Sequence, residues 1–238
     1  MSQIKYSVLI PLKDEEGNIR DLVNELEPIM HGLNEPWELL CIDDGSQDST
    51  RQILDELALT RPHLRVIAFS NNYGQSSAFA AGFQLAKGQF VITLDGDRQN
   101  DPTDIPKLLA EMHDCDMACG SRRKRKDSWW RRIVSRSANQ VRRWVCQDGM
   151  IDNNCSLKVY RTECLKRIKM YEGMHRFLPA LFIIEGFRIK EIPVNHRERA
   201  RGKSKYNMWN RGVNTVFDLF AVFWMRRRAL RYRFEQKI

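Results

Sequence analysis

Two periodicities run through the first half of the chain. Short stretches rich in strand-forming residues, Tyr6 to Pro11, Glu38 to Ile42, Arg65 to Ser70, Phe90 to Leu94 and Met117 to Ser121, predict five strands. Between them apolar residues recur at helical spacing. Ile19, Leu22, Val23, Leu26, Ile29 and Met30 predict one amphipathic helix, and Ile53, Leu54, Leu57 and Leu59 a second. A helix rich in small residues is expected from about Gly74 to Lys87, and Pro102 stands at the favoured first turn of another. Further along, Leu157 to Tyr160 and Arg188 to Val194 read as strands and Phe177 to Ile184 as core. Strands alternating with helices at these separations predict an α/β fold, a doubly wound and mainly parallel Rossmann-like sheet.

In such a sheet, ligands bind outside the carboxyl ends of the strands. The polar clusters fall on that edge: Pro11 to Asn18 after the first strand, Asp43 to Thr50 after the second, and Asp95-Gly96-Asp97-Arg98-Gln99 after the fourth. Alternation along extended chain would turn Asp95 and Asp97 to one side, with Gly96 leaving room between them. Two hard carboxylate oxygens suit a divalent cation holding a diphosphate, and Gln99 offers an amide oxygen beside them. Neither usual phosphate cradle is present. No GxGxxG follows a strand, and Gly202-Lys203-Ser204 resembles the end of a Walker loop whose leading glycine is replaced by Arg197. Nucleotide binding at this edge would therefore rest on carboxylates and a metal.

Composition sharpens the picture. The 238 residues suffice for one substantial core, and 42% hydrophobic with 29% charged residues describe a folded chain. The net charge of +9 asks for an anionic partner. Six cysteines (Cys41, Cys115, Cys119, Cys146, Cys155, Cys164) form no CxxC pair, and are read as buried thiols in a reducing compartment. Met1 leads directly into a strand-like run without a signal peptide, and no apolar stretch approaches the roughly 20 residues that span a bilayer. Arg122 to Lys126, continued by Trp129-Trp130-Arg131-Arg132, suits a membrane interface, as does the apolar segment Val213 to Met225 followed by Arg226-Arg227-Arg228. We therefore expect a catalytic domain at 1–208, a membrane-associating amphipathic and basic segment at 209–238, and peripheral attachment at the cytoplasmic face.

The motifs together carry a resemblance. Pro11…Glu15…Asn18, Asp43-Asp44-Gly45-Ser46-x-Asp48-x-Thr50, Asn72-x-Gly74…Ala81-Gly82 and Asp95-Gly96-Asp97-x-Gln99-x-Asp101-Pro102 resemble the family 2 glycosyltransferases of GT-A fold. Gly120-Ser121-Arg122, Arg131-x-x-x-Ser135 and Arg199-x-x-Gly202-x-Ser204-Lys205-Tyr206 look like the polyprenyl-phosphate branch, the dolichol-phosphate mannose synthases and bacterial undecaprenyl-phosphate transferases. The resemblance implies inverting transfer of a sugar from a nucleotide-diphosphate donor, UDP-sugar or GDP-mannose, to an undecaprenyl or dolichyl phosphate. Pro11, Glu15, Asp43 and Asp44 would hold the donor nucleoside. Asp95 and Gly96 would lie near its sugar or ribose, and Asp97 and Gln99 would coordinate Mg²⁺ or Mn²⁺, making Asp95 and Asp97 the catalytic pair. Arg122, Arg131 and Ser135 would receive the lipid phosphate, with Arg199, Ser204 and Lys205 closing on the diphosphate. Lys13 departs from the pattern, since the family often has an aromatic residue there.

A phosphomonoester with a second pKa near 6 is already largely ionised at neutral pH, so such an acceptor needs no general base. The alternative is a family 2 transferase acting on a soluble saccharide or protein, which would need a carboxylate base, Asp152 being the nearest candidate. Nucleic acid is disfavoured as a partner, because the carboxylate edge would repel a phosphate backbone. A membrane-protein partner or a homo-oligomer is compatible with the sequence.

Overall fold

The computed structural model describes residues 3–122, 142–197 and 208–230, with side chains of the last segment described from Thr215 onward. Arg131, Ser135, Arg199, Ser204 and Lys205 of the expected site lie outside these residues.

Chain order is β1 (Tyr6–Leu12), α1 (Ile19–Gly32), β2 (Trp37–Asp43), α2 (Thr50–Thr60), β3 (Leu64–Ala68), α3 (Gln75–Leu85) and β4 (Phe90–Thr93). A 3₁₀ turn at Pro102–Asp104 leads into α4 (Ile105–Ala110), then β5 (Met117–Arg122), β6 (Lys158–Arg161) and α5 (Thr162–Leu165). After a 3₁₀ turn at Met174–Phe177 come α6 (Leu178–Ile184), β7 (Ile189–Val194) and α7 (Met208–Arg228).

The strands form one sheet in the order β3-β2-β1-β4-β6-β5-β7. The half from β3 to β4 is parallel, as a doubly wound α/β unit requires. β6 runs antiparallel to both neighbours, β4 and β5, while β5 and β7 are parallel. That reversal decides where the site is built. The amino end of β6, rather than its carboxyl end, lies at the edge where β1, β2 and β4 finish.

Alternation along each strand divides the apolar side chains between two layers. Val8, Ile10 and Leu12 of β1, Leu39 and Cys41 of β2 and Ile92 of β4 pack beneath α1, α2 and α4. Leu9, Leu40, Ile42 and Val91 meet α3 and α6 on the opposite face. The single core expected from length is thus two layers separated by the sheet. The helical face of α1 follows the predicted spacing, with Ile19, Leu22, Val23, Leu26 and Met30 buried. In α2 the expectation fails at Leu59, which is 87% exposed, because Leu54 and Leu57 already cover the sheet. All six cysteines are reduced and buried, and burial pushes the thiols of Cys41 and Cys146 up to about 12.

α7 packs one of its faces on the sheet. Val222 is buried in the second layer, with Leu219, Ala221 and Met225 packed against it. Its other face carries Phe217, Phe220 and Trp224 at 63 to 69% exposure. No helix among the described residues is long and apolar enough to cross a membrane.

Candidate active site

A cleft of about 1130 Å³ opens at the sheet edge where β1, β2 and β4 end. Of the expected residues, Pro11, Glu15, Asp44, Asp95, Gly96, Asp97 and Arg122 line it. Asp43 and Gln99 do not. Asp43 is 3% exposed and accepts the Ser46 backbone N–H at 3.0 Å, shaping the turn behind the cleft. Gln99 donates its backbone N–H to Asp97 Oδ1 at 3.1 Å, and its carbonyl accepts from the Arg197 backbone at 2.9 Å.

The acidic pair is presented by a turn. β4 ends at Thr93, so Asp95 and Asp97 reach the cleft by turn geometry instead of by strand alternation. Arg98 takes a positive φ of 61° and turns its guanidinium back to α1, donating to Asp21 Oδ2 at 2.6 Å and also to Glu25. Asn100 Oδ1 accepts the Asp95 backbone N–H at 3.2 Å and the Ser156 hydroxyl at 2.7 Å. Gly96 makes room for the first loop, since a Cβ there would lie 2.5 Å from Leu12 Cδ2 and 3.3 Å from Glu15 Cγ. Burial pushes the Asp95 carboxyl up; Ser156 opposes the shift and the neighbouring Asp97 adds to it. Gln75 Nε2 donates to Asp95 Oδ1 at 3.2 Å. Two carboxylates sharing a half-buried turn repel each other, a cost that a divalent cation would relieve. Their hard oxygens fit Mg²⁺ or Mn²⁺ in donor type, with further oxygens coming from a diphosphate and water. Among the described residues no group of three or more His, Cys, Asp or Glu side chains is gathered for a metal.

One end of the cleft is built from three loops tied to one another. Asp44 accepts the backbone N–H groups of Tyr73 at 2.7 Å and Gly74 at 2.9 Å, fastening the β3–α3 loop to β2. Lys13 lines the cleft and donates its ammonium to the Gly45 carbonyl. Gly45 sits at φ 66°, and a Cβ there would fall 2.6 Å from Asn71 C. Gly45→Ala should therefore displace the loop that Asp44 holds. For a nucleotide, the ligand expected from the sequence at this edge, affinity should fall about tenfold with the fold retained by circular dichroism.

Arg122 and Asp152 form a buried bidentate pair. Arg122 Nε donates to Oδ2 at 2.6 Å and Nη2 to Oδ1 at 2.9 Å, while the Arg122 backbone N–H reaches Oδ2 at 3.1 Å. Burial alone would raise the Asp152 carboxyl, but the guanidinium holds it below the ordinary range. Asp152 is thus a poor general base, which weakens the reading that assigned it one. Arg122→Gln should cost about 3 kcal/mol near neutral pH, because it strands a buried carboxylate. In the parent, the Asp152 contribution is complete above the ordinary carboxyl pKa of about 3.9 and fades as the pH falls through the lower folded value. Urea unfolding should show the largest deficit at neutral pH and a shrinking one in acid.

The opposite wall escaped sequence reasoning. Asn153, Lys158, His175 and Arg176 line the cleft together with Phe177, Val216 and Leu219. The antiparallel β6 brings the first two to the edge: Lys158 pairs with Thr93 in register, and Thr93 Oγ1 donates to the Ser156 carbonyl at 2.7 Å. Lys158 is 5% exposed and donates to the Asn153 and Cys155 carbonyls. His175 and Arg176 precede the apolar stretch read as core, and nothing in their local pattern marks them. At the described start of the basic loop, Arg197 is held away from the cleft by Glu25 at 2.6 Å and Asp101 at 2.9 Å.

Comparison with known proteins agrees with this layout. The dodecaprenyl-phosphate galacturonate synthase of Rhizobium johnstonii is 35% identical over 239 residues, covering 96% of this chain and 70% of that protein. The undecaprenyl-phosphate 4-deoxy-4-formamido-L-arabinose transferase of Edwardsiella ictaluri is 38% identical over 216 residues, covering 90% of this chain and 66% of that protein. The chain thus spans about two thirds of the length of these relatives. In structure, glucosyl-3-phosphoglycerate synthase from Mycobacterium tuberculosis, solved with Mn²⁺, UDP and phosphoglyceric acid, superimposes with a TM-score of 0.68 at 16% identity, covering 96% of this chain and 80% of that one. TarS 1-349 of S. aureus in complex with UDP-GlcNAc gives 0.61 at 18% identity, covering 92% and 66%. These likenesses establish the GT-A fold. The sequence pattern of glycosyl transferase family 2 matches residues 7–234, and with relatives of this identity and coverage the chain belongs to that family.

Proposed function

We propose that this enzyme transfers a sugar, with inversion, from a nucleotide-diphosphate donor to a polyprenyl phosphate. The observation that carries the choice of acceptor is the Arg122–Asp152 pair. It neutralises the carboxylate nominated as base for a hydroxyl acceptor, whereas an ionised phosphomonoester needs none. The names of the two curated relatives, both polyprenyl-phosphate sugar enzymes, support the same acceptor class.

In this reading Pro11, Glu15 and Asp44 bound the nucleoside, and Asp95, steadied by Gln75, lies beside the sugar. Asp97 is the metal-facing carboxylate, with Gln99 supporting its turn through the backbone. A divalent cation, when bound, would supply charge neutralisation of the leaving diphosphate. The protein's own contribution is positioning and electrostatics: the acceptor phosphate is held in line behind the anomeric carbon and water is kept from the cleft. The exposed Phe217, Phe220 and Trp224 of α7, with Arg227 and Arg228 exposed at its end, suit peripheral seating on an anionic bilayer.

Release of nucleoside diphosphate from UDP-sugars and GDP-mannose tests the proposal, with and without a short polyprenyl phosphate and with Mg²⁺, Mn²⁺ or chelator. Turnover requiring both lipid phosphate and metal is expected, and the productive donor identifies base and sugar. Equal turnover on a soluble saccharide without lipid phosphate would restore the alternative acceptor class.

A further inference from the structure

The wall that the sequence did not reveal has two chemical halves. His175 and Arg176 are adjacent polar residues in the cleft, and Phe177, Val216 and Leu219 continue the wall as an apolar surface. Val216 is 51% exposed, and beyond it the outer face of α7 presents Phe217 and Phe220. The Arg176 guanidinium and the His175 imidazole, with the Glu172 carboxylate beside them and Asp218 close to Arg176, thus border apolar surface on the same wall. This is the complement of an amphiphile with an anionic head and a hydrocarbon chain.

The polar half is held in place from several sides. Ser76 at the start of α3 is 6% exposed; its Oγ accepts the Gly173 backbone N–H at 3.0 Å and lies 2.6 Å from His175 Nδ1. A buried hydroxyl must also place its single hydrogen, and donation to Nδ1 does so. Nε2 then lies on the side of the ring away from Ser76. Phe79 stacks on the imidazole at 6.0 Å between centroids with 25° between planes. Arg176 Nη1 donates to Thr215 Oγ1 of α7 at 2.8 Å, and its carbonyl accepts from Asn153 Nδ2. Gly173, at φ 78°, brings the backbone close against α7: a Cβ there would lie 2.3 Å from Asp218 Oδ2.

Resting on the transferase reading above, we infer that His175 and Arg176 form a seat for the acceptor's phosphate, additional to Arg122, and that the wall through Val216 and Leu219 receives the first isoprene units. Ser76 is the positioning residue, holding the imidazole by Nδ1 so that its far edge is turned towards the acceptor phosphate. Arg122 spends Nε and Nη2 on Asp152, and Arg176 supplies a second guanidinium to the same cleft.

The test measures binding and turnover separately on the full chain. Calorimetry with farnesyl phosphate, farnesol, inorganic phosphate, phosphatidic acid vesicles and UDP or GDP is applied to the parent, His175→Ala, Ser76→Ala, Ser76→Thr and Val216→Asp. We expect His175→Ala and Val216→Asp each to weaken farnesyl phosphate at least tenfold while nucleotide affinity stays within twofold. Ser76→Ala should weaken farnesyl phosphate severalfold and Ser76→Thr, which keeps the hydroxyl, should restore it, with the fold unaltered in both. His175→Ala should weaken inorganic phosphate and Val216→Asp should not. Unchanged farnesyl phosphate affinity in both variants, or a loss that falls on the nucleotide, overturns the inference even if the parent turns over. Equal loss for phosphatidic acid and farnesyl phosphate would assign the seat to general phospholipid and overturn it as an acceptor site. A parent that binds nucleotide but transfers to no polyprenyl phosphate defeats the transferase reading itself.

Discussion

Asp97→Asn should abolish transfer, lowering turnover by about a thousandfold or more, while thermal unfolding and the circular dichroism spectrum stay close to the parent's. Asp97 is 8% exposed, lines the cleft and lies on a turn that Arg98 and Asn100 fix independently of its own carboxylate. The substitution keeps the side-chain volume and can keep an oxygen for the Gln99 N–H. It removes the negative charge that would hold a metal–diphosphate. It also removes one of the causes that push Asp95 upward, so the Asp95 carboxyl should fall towards its ordinary value. Titration of the carboxyl by NMR in the parent and variant checks this without turnover. Transfer at the parent's rate by a folded Asp97→Asn protein would remove Asp97 from the catalytic pair.

The second large effect lies far from the chemistry. Glu38 is a charged residue at the start of a buried strand, 2% exposed, and three separate parts of the fold converge on it. Ser7 Oγ of β1 donates to Oε1 at 2.6 Å, the Lys87 backbone N–H donates to the same oxygen at 2.7 Å, and Arg65 of β3 pairs with Oε2. Ser7 in turn accepts the Gly88 backbone N–H at 2.8 Å. Glu38→Ala would leave a buried hydroxyl, an N–H and a guanidinium without their partner, at a cost of about 3–5 kcal/mol. Glu38→Gln should cost less, because Oε1 remains an acceptor for Ser7 and Lys87, and only the acceptor and charge facing Arg65 are lost. Urea unfolding of the two variants distinguishes network loss from charge loss; equal and small losses would show that water replaces the carboxylate.

The alternation of apolar strands with amphipathic helices carried the parallel half of the sheet, because each buried strand and helix face leaves a local periodic trace. Asp44, Glu15, Asp95 and Asp97 were legible for a related reason: strands of one direction deliver the residues that follow them to one edge, so adjacency in sequence predicts adjacency in space.

What the sequence could not decide depends on contacts between distant segments. The reversed direction of β6 brings Asn153 and Lys158 to the cleft from the strand's beginning, and no local signal reports the direction of an inserted strand. Arg122 and Asp152 looked like two candidates for two jobs, and only their bidentate contact shows that each answers the other's charge. Gly96 was read as space between two aspartates, whereas the space it leaves is filled by Leu12 and Glu15. His175 owes its orientation to Ser76, ninety-nine residues away in sequence. Local periodicity determined the elements and the edge on which chemistry could occur; packing of the later strands and α7 against that edge decided which side chains face the substrate and in what state of charge.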